Sequence, residues 1–181
     1  MPDHTPSIRK GSRTPVSSRP ARPTAQHLDL TPAQIRIAQR VAEGKATPAI
    51  ASDLSITGGT INVQMKHCGQ KLGVKGRAAV VHACYVTEQL KRPPGTVAPG
   101  AFSDAETETW RMIAIGADSK DYADRARISR DEALKRMRGL RDRTQAKNDP
   151  HLVTLGWAYG VLDESLVEML SGAVLTVAAR I

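Results

Sequence analysis

Residues 57–72 read Thr-Gly-Gly-Thr-Ile-Asn-Val-Gln-Met-Lys-His-Cys-Gly-Gln-Lys-Leu. Ile61, Met65, Cys68 and Leu72 recur at the spacing of one helix face, so Asn62, Val63, Lys66 and Gln70 share the outward one. The chemistry of that outward set is hydrogen bonding and charge. A carboxamide can bond an adenine edge through two hydrogen bonds, an ammonium favours guanine O6 and N7, and a valine methyl can rest on a thymine methyl. Signals for catalysis are poor by comparison. Gly44-Lys45-Ala46-Thr47 has the closing residues of a phosphate loop, but the upstream glycine and a preceding strand are missing. His67 and Cys68 are adjacent, one outward and one inward, and His82 and Cys84 fall on a different helix, so no four-ligand metal set is visible. Cys68 reads as a small core residue. No catalytic residue, cofactor or metal is expected.

The elements that position this face read as helices. Thr31-Pro32-Ala33-Gln34 combines an N-cap, proline at the first helical position and a capping-box glutamine. Ile35, Ala38, Val41 and Ala42 follow at helical spacing, and Gly44 supplies a stop. Thr47-Pro48 restarts a short helix with Ile50, Ala51 and Leu54. Thr57 opens the third helix, Gly73 closes it, and residues 77–90 are expected to form a fourth. The pattern then repeats 72 residues on, without gaps. Leu30 matches Phe102, Thr31 and Gln34 match Ser103 and Glu106, and Gly44 matches Gly116. Ala51 matches Ala123, Ile56-Thr57 matches Ile128-Ser129, and Met65 matches Met137.

Residues 30–85, with Leu-Thr-Pro, Ala-Glu-Gly, Ile-Ala-x-x-Leu, Gly-Thr-Ile and the closing Lys-Leu-Gly-Val-Lys-x-Arg-Ala, resemble the LuxR-type (GerE-like) helix-turn-helix domain of bacterial transcription regulators. The resemblance implies that the third helix enters the major groove. It also implies that Asn62, Val63 and Lys66 contact bases, and that Thr60, Lys71 and Arg77 contact phosphates and fix register. Relatives usually carry Lys or Arg where Asn62 stands, so base preference does not transfer. Gln64 replaces a family histidine and reads as a surface change, and Gly58-Gly59 as a permissive helix start. In the second repeat, Ala133, Met137 and Leu140 face inward, while Lys135, Arg136, Arg138, Arg141 and Arg143 make a basic outward set. Lys135, Arg138, Arg141 and Arg143 are its candidate DNA contacts. Leu134 takes the place of Asn62 and Glu132 that of Thr60, where Glu132 is also expected to close a capping box with Ser129. Two readings stay open for this repeat: binding through phosphates, or a docking module.

The whole chain is expected to be all-α, two tandem four-helix, LuxR-like helix-turn-helix domains at 28–91 and 102–162. A disordered basic tail covers 1–27 and a Pro/Gly linker 92–101. A further helix is expected over residues 162–181, with 163–181 as a candidate dimer contact. Fully extended, the linker reaches about 33 Å, close to one turn of B-DNA. A formal net charge of +8 favours a polyanionic partner. Basicity lies mainly in the N-terminal half, where Arg9, Lys10, Arg13, Arg19 and Arg22 precede the first domain. Aromatic residues make up only 3% of the chain, which argues against single-strand or RNA binding by stacking. Two cysteines make no disulfide framework, and no apolar leader or membrane span is visible. The expected setting is therefore the cytoplasm, at the nucleoid. The expected partners are double-stranded DNA and a second copy of the chain. The rival is a protein-interaction module docking on RNA polymerase or another regulator, because these heads also resemble the promoter-reading end of sigma factors.

Overall fold

The computed structural model describes residues 29–166, and helix is the regular structure among them. The order is α1 (Pro32–Ala42), α2 (Thr47–Leu54), α3 (Gly58–Leu72), α4 (Arg77–Val86), α5 (Asp104–Ala114), α6 (Ser119–Ala126), α7 (Arg130–Thr144) and α8 (Asp149–Ala158), then a 3-10 turn at Glu164–Leu166. The basic stretch 1–27 lies outside the described residues, as does the proposed pairing helix beyond residue 166.

Local sequence explains where each helix begins. Thr31 and Ser103 close capping boxes with Gln34 and Glu106, and Asp118 closes one with Asp121 that the sequence reading missed. Ser129 caps α7 through the Glu132 amide at 3.1 Å, but the Glu132 carboxylate turns to Arg136. The expected second half of that capping box is therefore not made. The two short turns into α3 and α7 place Ser55 and Arg127 in the left-handed region, at φ 52 and 54. The fourth helix is shorter than expected and stops at Val86. Glu88 then takes φ 58, and the Leu90 amide donates to the Cys84 carbonyl at 3.1 Å, folding Leu90 onto the core.

Every helix of the second half starts and ends 72 residues after its counterpart, as Pro32 to Asp104 and Gly58 to Arg130 show. Ile61, Met65, Cys68 and Leu72 are buried, and so are Ala133, Met137, Leu140 and Thr144 at the matching positions of α7. Full burial of Ile50, Ile61 and Leu72 contributes about 1.5–3 kcal/mol each.

The two halves are not held apart by the linker. They pack directly, and α4 against α8 is the broadest contact between any two helices. The contact is reciprocal. The Tyr85 hydroxyl lies 3.1 Å from Thr154 Oγ1, and Trp157 Nε1 donates to His82 Nδ1 at 3.0 Å. Tyr85 and Trp157 occupy matching positions in the two halves, as do His82 and Thr154. Gly44 packs on Lys147 and His151, and Gly116 on Lys75 and Ala79, again matching pairs with the halves exchanged. Such exchange is the signature of a two-fold relation; a head-to-tail arrangement lacks it. The linker runs back along this seam instead of spanning a gap. Arg92 lies 4.9 Å over the Trp157 ring and pairs with Glu164, and the Thr96 amide donates to the Ala158 carbonyl at 2.8 Å.

Candidate nucleic-acid interface

The outer face of α3 is assembled by three elements. Thr57 caps the helix and its hydroxyl lies 2.9 Å from that of Thr60, so two hydroxyls crown the positive end of α3. Gly58 and Gly59 form the first helical turn; a Cβ on Gly58 would meet the Thr47 methyl at 3.3 Å, whereas Gly59 has more room. Arg77, the first residue of α4, reaches back across α3. It donates to Thr47 Oγ1 at 3.0 Å and to Asn62 Oδ1 at 2.6 Å. One guanidinium thereby joins α2, α3 and α4.

That contact orients Asn62. With Oδ1 turned toward Arg77, the Nδ2 hydrogens are left for an acceptor such as a purine N7 or guanine O6. The second lone pair of Oδ1 keeps two-point bonding to adenine open. Val63 is 50% exposed, on a helix whose opposite face fills a core. Lys66 is exposed and makes no hydrogen bond or ion pair among the described residues. The three predicted base-contacting residues therefore share one exposed face.

The three predicted phosphate-contacting residues are not equivalent. Thr60 sits exposed at the helix start. Arg77 is half-buried and already engaged with Thr47 and Asn62. Lys71 is also half-buried; its ammonium donates to the Asp29 carbonyl and to Gln34 Oε1, both at 3.1 Å. One N–H remains on Lys71, and its main visible work is to tie the start of the first unit to the end of α3. Sequence reading missed this centre. Gln34 is buried to 4% exposure and also donates to Gln64 Oε1 at 3.1 Å, so Gln64 is a half-buried partner and not a surface change.

The second unit rebuilds the same tie with charge. Arg143, matching Lys71, pairs with Glu106, donates to the Ala101 carbonyl at 2.7 Å and lies 4.7 Å over the Phe102 ring. The Arg143 hydrogen bond, and after it the Ser103 amide, holds the Glu106 carboxyl below its usual value. Arg141 pairs with Asp149 at the start of α8, and Arg136 with Glu132. Of the four cations predicted to meet DNA here, Arg141 and Arg143 are thus bound into the fold. Among the described residues, Lys135 is exposed and unpaired, and Arg138 is exposed with only its Nε engaged, on the Leu134 carbonyl at 3.3 Å. Leu134 stands 37% exposed at the position of Asn62.

No group of three or more His, Cys, Asp or Glu among the described residues could hold a metal ion, and no helix among them is long and apolar enough to cross a membrane. Cys68 and Cys84 are free, buried thiols; burial pushes them up to about 11 and about 12. That is opposite to the shift that activates a nucleophile.

No curated protein and no solved structure matches the chain. The family model for bacterial regulatory proteins of the luxR family, GerE, matches residues 28–84. The match runs from just before α1 into the last turns of α4, and so contains the capped, outward-facing α3 and the Arg77 that braces it. Over residues 28–84 the chain therefore carries a DNA-binding helix-turn-helix domain of the luxR family of bacterial regulatory proteins.

Proposed function

We propose that the protein is a sequence-specific, double-stranded-DNA-binding transcription regulator in which α3 enters the major groove. Asn62, Val63 and Lys66 read base edges, and Thr60, Arg77 and the remaining N–H of Lys71 hold phosphates. The observation that carries this reading is the state of the α3 outer face. It presents an oriented carboxamide, an exposed valine and an ammonium with no partner among the described residues side by side, inside a domain of a DNA-binding family. The second unit, α5–α8, is a divergent copy of the same fold, as its element bounds and its Arg143–Glu106 tie support.

Changing Asn62 and Lys66 together to alanine tests the reading. A good base-edge interaction is worth about 1–3 kcal/mol of discrimination, and both side chains are exposed, so the helical fold should not change. Binding to a selected duplex is expected to fall toward the non-specific level while the thermal midpoint stays put. Retention of full specific affinity would exclude α3 as the reading helix.

A docking module for RNA polymerase or another regulator is the second reading, and one observation favours it. Asp104, Asp118, Asp121 and Asp124 are all exposed on α5, α6 and the turn between them, a poor surface to bring near phosphates.

A further inference from the structure

We infer that a single chain occupies a bipartite DNA element on its own, with the two halves inverted and unlike in sequence, α3 reading one half and α7 the other. This rests on the DNA-binding reading above and extends it to the architecture of the target.

The first support is the seam between the units. Its contacts exchange under the 72-residue offset: Tyr85 with Thr154 and Trp157 with His82, Gly44 with Lys147 and His151, and Gly116 with Lys75 and Ala79. The two heads are therefore related by a two-fold operation. Duplex DNA has two-folds of its own, so heads related in that way address half-sites in inverted orientation. The seam is also a built interior. His82 and Tyr85 are buried, and Arg92 covers the Trp157 ring. The faces of α4 and α8 are consumed within one chain and are not left open for a second copy.

The second support is the division of labour among the cations of α7. Arg136, Arg141 and Arg143 are paired with carboxylates of their own unit. Lys135 and Arg138 are not, and these two stand at the positions of Val63 and Lys66 on α3. Arg130, at the start of α7, donates to Ser119 Oγ at 3.0 Å, so along the outward middle of the helix those two repeat the exposed face of the first unit. Their chemistry differs, however. Arg138 keeps its four terminal N–H groups for guanine O6 and N7, and Leu134, at the place of Asn62, offers only methyl groups, as to thymine. Unlike side chains at matching positions require unlike half-sites.

The test is a random-duplex selection with the full chain, followed by the mass of the complex on the selected duplex. It is repeated with the double variants Asn62→Ala with Lys66→Ala, and Lys135→Ala with Arg138→Ala. The expected element has two dissimilar inverted halves whose centres lie about ten base pairs apart. One chain should sit on each duplex. Each double variant should reduce preference within one half by about tenfold or more, a different half for each. A perfect palindrome carrying two chains would overturn the inference and leave the DNA-binding reading standing. A single half-element indifferent to the Lys135 and Arg138 changes would do the same, and would assign the second unit to protein docking. Selection of no motif at all would overturn both readings.

Discussion

Arg77 shows how one side chain serves both the fold and the site. Its two hydrogen bonds lock Asn62 to the start of α2, so the proposed base-reading carboxamide is already oriented in the free protein. Pre-setting lowers the ordering cost of binding. His82 is the opposite kind of residue, polar and wholly interior. Its Nδ1 accepts from Trp157, its Nε2 is buried without a partner among the described residues, and burial lowers its pKa to about 4. Because the unfolded chain takes up the proton near 6.5 and the folded chain only near 4, stability is expected to fall as pH drops through that window. The loss should total about 3 kcal/mol for a shift of this size. His151, also lowered by burial, acts in the same direction. Carboxylates such as Glu106 and Asp118, held below their usual values by hydrogen bonds, add their own losses only at lower pH. Urea midpoints measured from pH 7 to 4 check this. A His82→Gln variant should give a flatter curve, and an equally steep one would remove His82 as the cause.

At the level of elements, the helices and most of their caps were legible because their determinants are local. A Thr, Ser or Asp followed three residues on by Gln, Glu or Asp needs only its own turn to form. The end of α4 was not legible, because the pull on Leu90 comes from the core and not from its neighbours in sequence. Gln34 was legible as a capping-box residue, but its burial and its ties to α3 were not, for a related reason. Periodicity counts glutamine as polar and outward, whereas its partners Gln64 and Lys71 arrive from α3. The C-terminal turn of the third helix gives a clean comparison between the halves. Gly73 takes φ 69 and Gln145, at the same place in α7, takes φ 55. Left-handed backbone costs a residue with a Cβ about 1–2 kcal/mol. Gln145→Gly is expected to raise unfolding stability by about 1 kcal/mol, and Gly73→Gln to lower it by a similar amount. Chemical denaturation of the two variants side by side reads both signs.

Across the whole molecule, the two units form one packed body through α4 and α8, and Gly116 is where that body is tightest. A Cβ there would fall onto the Lys75 backbone carbonyl, which has no rotamer in which to retreat, and φ is +76. Gly116→Ala is expected to destabilise the protein by about 1–3 kcal/mol from crowding alone. Gly44 has the same φ, but there the nearest atoms, His151 Cβ at 2.9 Å and Lys147 Cδ at 3.1 Å, lie farther from the added Cβ than the Lys75 carbonyl does at Gly116. Gly44→Ala should therefore cost less. Thermal midpoints of the pair distinguish the two causes: equal losses would mean that strain in φ, and not the seam, sets both.

Side-chain periodicity and hydrogen bonds that close within one turn were enough to define the helices, the repeat of 72 residues and the face that α3 turns outward. They also named Asn62, Val63 and Lys66 as a group, since residues three and four apart must share a helix face. Which cations are available is a different kind of property. Lys71, Arg141 and Arg143 look the same as Lys66 and Arg138 along the chain, and only the folded molecule brings Gln34, Asp149 and Glu106 to them. The course of the Pro-rich segment along a seam, instead of across a gap, belongs to the same class. Pairing α4 with α8 depends on surfaces 72 residues apart meeting in space, and no local pattern encodes such a meeting.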